Sequence, residues 1–132
     1  MKKLKFQTII KKLHGLKLPK VDLVVGLETG GIVPAALVGY HLGKPVVFMS
    51  INYRDEKNAP QHAHPVLLKP FPRPKGVKHI LVVDDVSVTG QTLELAKNKL
   101  GPKGVKTLVL RGTADHVLFP EIKECVQWPW KP

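Results

Sequence analysis

Residues 79–92 have the sequence HILVVDDVSVTGQT, the most informative stretch of the chain. Residues 80–83 form a short, continuous apolar run rich in β-branched side chains, which is typical of a strand buried on both faces of a parallel sheet. Two carboxylates, Asp84 and Asp85, follow at the carboxyl end of this strand. Open α/β sheets bind ligands outside the carboxyl ends of their strands, so the sequence predicts a ligand site at this acidic pair.

The turn after the acidic pair is small, rich in hydroxyl groups and contains one glycine. Glycine lets the backbone approach a ligand closely, and the amides at the start of a following helix face outward. The pattern predicts a phosphate cradle made by Thr89, Gly90, Gln91 and Thr92. A purely structural alternative stays open, because a buried strand that ends in a solvated turn with a helix cap has the same pattern.

The segment VVDDVSVTGQT, residues 82–92, resembles the signature with which type I phosphoribosyltransferases bind phosphoribosyl pyrophosphate (PRPP). The resemblance implies that Asp84 and Asp85 hold the ribose hydroxyls and that residues 88–92 hold the 5'-phosphate. It also implies Mg²⁺ as a cofactor, bound together with PRPP at the same two carboxylates. The fold implied is the α/β type I phosphoribosyltransferase fold, a mostly parallel twisted sheet flanked by helices.

A second glycine turn lies nearer the N-terminus. Residues 22–27 predict a buried strand, and the glycine turn follows it directly. A helix with Pro34 in its first turn then reaches residue 43, and a second strand is predicted over residues 44–50. This region resembles the pyrophosphate loop of the same family, which implies diphosphate contacts for Glu28, Thr29, Gly30 and Gly31. The G-x-G-x-x-G and G-x-x-x-x-G-K-[ST] patterns of two common nucleotide folds are absent from the sequence.

Residues 52–78 are polar at first and then rich in proline, so no single regular element is expected there. Long segments of this kind are usually functional lids or disordered insertions. The family resemblance implies a flexible loop over residues 52–78 that closes on the site, with Ser50 and Tyr53 at its start. Residues 66–69 are predicted to pair as a short strand. His62 and His64 are expected to be exposed to solvent, because a metal site would need a further ligand.

The rest of the chain predicts three more regular elements: an amphipathic helix over residues 4–16, a helix from about residue 93 to residue 100, and a strand over residues 107–111. Arg111 ends that strand, where the resemblance implies a contact to the base; a surface arginine is an equally good interpretation. The ending CVQWPW resembles the hood of xanthine and hypoxanthine enzymes, which places the hood at about residues 112–132 and implies that Cys125 and Val126 bind the base.

Length and composition predict a single domain over residues 1–132. The hydrophobic content of 43% is ordinary for a globular protein, and no apolar run approaches the roughly 18 residues that suggest a membrane span. The basic N-terminus lacks the apolar core of a signal peptide, so a cytoplasmic location is expected. Cys125 is the only cysteine, which excludes a disulfide within the chain.

The formal net charge of +11 predicts a surface that attracts polyanions. Nucleic acid and a polyphosphate substrate both satisfy this description. The 21 basic residues are spread along the chain, and no basic stretch is interleaved with aromatic residues as in proteins that bind single strands. Charge alone therefore leaves nucleic acid open as a partner.

The family resemblance predicts a transferase of nucleotide salvage that moves the phosphoribosyl group of PRPP to a 6-oxopurine and releases pyrophosphate. A homodimer is expected. Three positions depart from the family pattern: Thr29 stands where a basic residue is common, Val88 replaces an aspartate near the base, and Cys125 stands where a stacking ring is expected. PRPP binding is therefore better supported than purine transfer. The alternatives are a transferase with a non-purine acceptor, a PRPP- or nucleotide-sensing regulator that binds nucleic acid, and a subunit-interaction module.

Overall fold

The computed structural model describes residues 1–52 and 64–131. Helices and strands alternate along most of this part of the chain, as an α/β fold requires. The elements are β1 (Lys2–Lys3), α1 (Phe6–His14), β2 (Leu23–Glu28), α2 (Ile32–Leu42), β3 (Val46–Asn52), β4 (Val66–Leu67), β5 (Ile80–Ser87), α3 (Gln91–Leu100), β6 (Val105–Gly112), β7 (His116–Val117) and β8 (Val126–Gln127).

Six of the strands form one sheet in the order β4-β3-β2-β5-β6-β7. All neighbours in this sheet are parallel except β4, which runs antiparallel to β3. The predicted fold class, a mostly parallel sheet flanked by helices, is confirmed. Strands β1 and β8 form a separate parallel pair, which the sequence did not predict because two-residue strands carry no periodic signal.

The core lies on both faces of the sheet, because the central strands alternate their side chains between the two. In β5, Leu81 and Val83 pack in the cluster that contains residues of α1 and α2. Ile80 and Val82 pack in the other cluster, together with α3. All four side chains are essentially inaccessible to solvent, as the apolar run predicted.

Strand β5 is longer than the apolar run indicated. The prediction ended the strand before the acidic pair, whereas β5 continues through Asp84 and Asp85 to Ser87. The reason lies in its two neighbours: register with β2 ends at Val83, but register with β6 continues to Ser87. The two carboxylates thus follow the last residue that pairs with β2, and they keep their predicted place at the open edge of the site.

The predicted flexible loop is described only in part. Tyr53 and His62 lie outside the described residues, and His64 is exposed as expected. Of the predicted strand over residues 66–69, only Val66–Leu67 form a strand, β4, which pairs with the end of β3. Nearer the C-terminus of the segment, the Arg73 guanidinium donates to the carbonyl oxygens of Gly101 at 2.8 Å and of Val77 at 3.1 Å. These hydrogen bonds hold this half of the segment against the end of α3.

The described helices are too short or too polar to cross a lipid bilayer.

Candidate active site

The carboxyl ends of three parallel strands bring separate stretches of sequence together. Glu28 at the end of β2 is in register with Ser50 on β3. Asp84 and Asp85 extend β5 on the other side of β2. The turn after β2, the start of the predicted loop and the acidic pair therefore lie along one edge of the sheet, as the sequence predicted.

The backbone fixes the orientation of both carboxylates. Asp84 Oδ1 accepts a hydrogen bond from the Asp85 N–H at 2.8 Å. Asp85 Oδ1 accepts one from the Val86 N–H, also at 2.8 Å. One oxygen of each carboxylate is thus held by the main chain.

The ionised form of Asp84 is electrostatically unfavourable in this position. Burial is the main cause that raises the pKa of Asp84 well above the ordinary aspartate value, and the neighbouring charge of Asp85 raises it further. The Lys131 ammonium acts in the opposite direction. A ligand that supplies hydroxyl donors or positive charge would relieve this repulsion. The acidic pair therefore has the electrostatic character expected of a site that binds a sugar or a metal ion.

The glycine turn after β2 packs directly against the acidic pair. A Cβ atom at Gly30 would lie 2.6 Å from Asp85 Oδ1, and one at Gly31 would lie 2.5 Å from the Val83 carbonyl oxygen. Only glycine fits at both positions because the neighbours are backbone or a fixed carboxylate. Thr29 is exposed in this turn, and the Glu28–Thr29 peptide bond is cis. The turn and the acidic pair thus form the two sides of one site.

The turn after β5 presents its backbone to solvent. Gly90 is the N-cap of α3 with a φ of 82°, and a Cβ atom added to it would meet nothing within 4 Å. The Thr89 hydroxyl accepts a hydrogen bond from the Gln91 N–H at 3.3 Å. Val88 is 72% exposed. The open space at Gly90 and the amides of the first helical turn have the form that a phosphate cradle requires.

Two side-chain N–H donors are buried without a hydrogen-bond partner in the described part of the chain. Arg111 on β6 is in register with Val86, and its Nε is buried without a hydrogen-bond partner in the described part of the chain. Trp130 Nε1 is also buried, and it too has no hydrogen-bond partner among the described residues. Trp130 stacks on Trp128 with ring centroids 5.5 Å apart. Unpaired buried donors are costly, so each of them favours a ligand that carries acceptors, such as the oxo groups of a nucleobase.

Cys125 and Val126 have structural contacts of a different kind. The Lys2 N–H donates to the Cys125 carbonyl oxygen at 3.1 Å, and Val126 is in register with Lys2. Cys125 is exposed, whereas Val126 packs against the core. The two residues anchor the β1–β8 pair, and their base-binding role stays a prediction.

The residue that the sequence reasoning missed is Lys131. Its Nζ donates to Asp85 Oδ2 at 3.3 Å, which brings the C-terminal segment onto the acidic pair. Lys131 is one of 21 basic residues, and no motif or spacing distinguishes it from the others. A contact between residues 46 positions apart leaves no local signal.

The two carboxylates suit Mg²⁺ only if a bound ligand supplies further oxygen atoms to the ion. Across residues 1–52 and 64–131, no group of three or more His, Cys, Asp or Glu side chains could hold a metal ion. Mg²⁺ usually takes one or two carboxylates and completes its coordination with water and substrate phosphates. Asp84 and Asp85 meet that description together with a phosphate-rich ligand.

Comparison with known proteins identifies the family. The sequence matches the phosphoribosyl transferase domain over residues 3–131. The chain belongs to this family. An orotate phosphoribosyltransferase from Pyrobaculum islandicum is 32% identical over 64% of this chain and 40% of its own length. A protein named transcriptional regulator GfcR from Methanothrix thermoacetophila is 32% identical over 72% of this chain and 46% of its own length. The chain thus spans half or less of these curated relatives.

Solved structures confirm the fold of this phosphoribosyltransferase domain. A purine phosphoribosyltransferase from Pyrococcus horikoshii superimposes with a TM-score of 0.78 at 24% identity, over 98% of this chain and 93% of that one. The xanthine-guanine-hypoxanthine phosphoribosyltransferase of Helicobacter pylori gives 0.75 at 19% identity, over 98% and 93%. The family and the fold inferred from the sequence are both confirmed.

Proposed function

We propose that this domain transfers the phosphoribosyl group of PRPP to a 6-oxopurine base and releases pyrophosphate. The acidic pair between two glycine turns carries the proposal, because it offers hydroxyl acceptors and backbone anion sites at one edge of the sheet. Structures named as purine enzymes share the fold. Relatives named as orotate enzymes make orotate the competing acceptor.

Each part of PRPP has a candidate binding element in the chain. Asp84 and Asp85 accept hydrogen bonds from the ribose hydroxyls, and charge-assisted bonds of this kind are among the stronger ones in proteins. Residues 88–92 receive the 5'-phosphate at the start of α3, and residues 28–31 receive the diphosphate. Thr29 brings a hydroxyl to the diphosphate where the family resemblance implies a basic side chain.

The reaction breaks the bond from C1 of the ribose to the diphosphate oxygen and forms a bond from C1 to a ring nitrogen of the base. The ring proton is then lost to solvent or to a nearby base, and pyrophosphate leaves. Mg²⁺, when bound, neutralises the diphosphate and orients it. The protein holds the ribose through its carboxylates, and the cationic transition state has to be kept away from water because hydrolysis is the competing reaction.

Calorimetry with PRPP tests the proposal, first with and without Mg²⁺ and then with a panel of bases. PRPP is expected to bind with Mg²⁺, and hypoxanthine, guanine or xanthine is expected to give a nucleotide product. Adenine and orotate complete the panel. Product from orotate alone would replace the purine acceptor, and a folded protein that does not bind PRPP would contradict the whole proposal.

A substitution at Val88 distinguishes a purine enzyme from one with another acceptor. A purine loses or shifts a ring proton during transfer, and a carboxylate within reach typically contributes ~10²-fold or more to such a step. Val88→Asp is therefore expected to raise purine transfer by roughly 10-fold or more, provided that the carboxylate reaches the base. The 72% exposure of Val88 leaves room for the new side chain. Steady-state assays of purine nucleotide formation measure the change.

Ile10→Asp is the matched control, because Ile10 is also an exposed β-branched residue and lies on α1, outside the proposed site. It adds the same charge to the protein and is expected to leave the rate unchanged. Purine product from neither the parent nor Val88→Asp would exclude a purine acceptor and leave PRPP binding as a separate question.

A second candidate function is nucleic-acid binding, and the N-terminal charge favours it. Residues 1–21 contain seven lysines and no acidic residue, and all seven lysines are exposed. Lys2, Lys11 and Lys12 line one groove between α1 and the segment after β7. One relative is named as a transcriptional regulator. Neutralised phosphates release counterions, so binding of this type weakens steeply as salt rises.

Heparin retention and DNA binding at several salt concentrations test this second function. Changing Lys11 and Lys12 together to glutamine is expected to reduce the slope of log affinity against log salt by about 0.9 for each lost phosphate contact. The same change at Lys99 and Lys103, which are exposed elsewhere on the protein, is the charge-matched control. Equal losses in both variants would indicate diffuse charge attraction and no defined surface.

The predicted homodimer also has a structural feature in its favour. Ile32, Ala36 and Tyr40 are exposed along one stripe of α2, and Tyr40 is 90% exposed. Phe48 on the neighbouring strand β3 is 38% exposed. Exposed apolar side chains along one stripe of a helix are a feature of interfaces between protein chains.

A further inference from the structure

The contact between Lys131 and Asp85 joins the end of the chain to the ligand site. Lys131 Nζ lies 3.3 Å from Asp85 Oδ2. The Lys131 side chain is 54% exposed, whereas the Asp85 side chain is only 14% exposed. A largely solvated cation is thus placed on a largely buried anion, and the cation can leave for water far more easily than the anion can.

The turn over residues 128–131 positions the Lys131 side chain. The Lys131 N–H donates to the Trp128 carbonyl oxygen at 3.1 Å, which closes a turn around residue 130. Trp128 is 2% exposed and belongs to the core. Trp130 stacks on Trp128, and Phe6 of α1 packs on Trp130 with ring centroids 5.9 Å apart. The backbone at Lys131 is therefore held by the core, while its side chain reaches back over the site.

The other oxygen of Asp85 is already occupied. Oδ1 accepts the hydrogen bond from the Val86 N–H, and the Gly30 backbone packs closely against the same carboxylate. Oδ2 is the oxygen on which a ribose hydroxyl or a metal ion can act. Lys131 therefore holds the atom that a sugar or cation would use.

We propose that Lys131 is a built-in counterion of Asp85 that a ribose hydroxyl and Mg²⁺ must displace, so that it sets how much Mg²⁺ PRPP binding needs. This inference rests on the proposed function. Two cations cannot share one carboxylate oxygen without repulsion, so the ammonium raises the Mg²⁺ concentration at which the site becomes loaded. Lys131 acts through Asp85 and is a positioning residue.

The ion pair is tested first without PRPP or Mg²⁺. Limited acetylation followed by mass spectrometry gives the labelling rate of each lysine. Lys131 is expected to label roughly 2- to 5-fold faster in Asp85→Asn than in the parent, in line with the strength of a partly exposed ion pair. Lys123, an exposed lysine of the same segment, serves as the internal reference in each sample. Equal Lys131 rates, relative to this reference, would overturn the proposal.

The competition is tested with PRPP. The Mg²⁺ concentration that gives half-maximal PRPP binding in calorimetry is expected to fall roughly 2- to 5-fold in Lys131→Gln. Lys131→Arg should keep the parent value, because it keeps the charge, and Lys123→Gln should not change it. An unchanged or higher Mg²⁺ requirement in Lys131→Gln would overturn the proposal and leave the proposed function in place. A parent that does not bind PRPP would overturn the proposed function and the competition with it, while the labelling rates would still decide the ion pair.

Discussion

Replacing Asp84 and Asp85 together by asparagine is expected to weaken PRPP binding by roughly 2 to 6 kcal/mol, since each lost charge-assisted hydrogen bond is worth about 1 to 3 kcal/mol. Calorimetric titration with PRPP and Mg²⁺ measures the loss. The fold should survive, because an asparagine carbonyl oxygen can still accept the hydrogen bonds that the Asp85 and Val86 N–H groups donate. Unchanged affinity in the folded double variant would remove the ribose role of the pair.

Asp115→Asn is a matched control for this variant. The Asp115 carboxylate accepts hydrogen bonds from the Thr107 N–H at 2.9 Å and from the Thr107 hydroxyl at 3.1 Å. It is a structural carboxylate at the start of β7. Its substitution is expected to lower the free energy of unfolding and to leave PRPP affinity unchanged, which is the opposite pattern to that of the acidic pair.

The single variant Asp84→Asn is expected to change the pH dependence of stability. The folded-state pKa of Asp84 is raised, so the folded protein binds more protons than the unfolded chain above the unfolded aspartate pKa of about 3.9. The contribution of Asp84 to stability is therefore complete below the unfolded pKa of about 3.9 and is lost as the pH rises through the raised folded-state pKa. Asp84→Asn should remove this loss, which urea denaturation at several pH values measures. The ionised Asp84 carboxylate thus lowers the free energy of unfolding, and the protein keeps this destabilising group at the proposed site.

The sheet was predictable because its signal is local and periodic. Residues 80–83 alternate between the two cores in the structure as their continuous apolar character implied. The glycine turns could also be located, since glycine marks positions where the backbone comes close to another group. The position of the acidic pair at the open edge of the sheet was predictable because the two carboxylates directly follow the apolar run.

The features that the sequence did not predict depend on which other segments a stretch of chain packs against, and not on the sequence of that stretch itself. The length of β5 is set by β6, which stays in register two residues beyond the acidic pair. The β1–β8 pair is made by two-residue strands from opposite ends of the chain. Lys131 reaches Asp85 only because the two tryptophans before it are packed against the core. Contacts of this kind require the assembled fold.

The second large effect is expected at Gly90. A valine there would place its side chain in the open space that the phosphate is proposed to enter, so Gly90→Val is expected to abolish measurable binding of ribose 5-phosphate. The substitution also forces a β-branched residue to a φ of 82°, which costs stability on its own account. Phosphate binding and thermal stability must therefore be measured on the same sample, by calorimetry and by thermal denaturation.

Gly43→Val separates the two effects. Gly43 ends α2 with a φ of 65°, and a Cβ atom added to it also meets nothing within 4 Å. The two variants should suffer a similar backbone strain of roughly 1 to 2 kcal/mol, because both force the left-handed region in open space. Only Gly90→Val should lose ribose 5-phosphate, since only Gly90 lies at the start of α3 beside the acidic pair. If Gly90→Val binds the ligand as Gly43→Val does, the segment after β5 is a plain turn, and the 5'-phosphate must be held elsewhere.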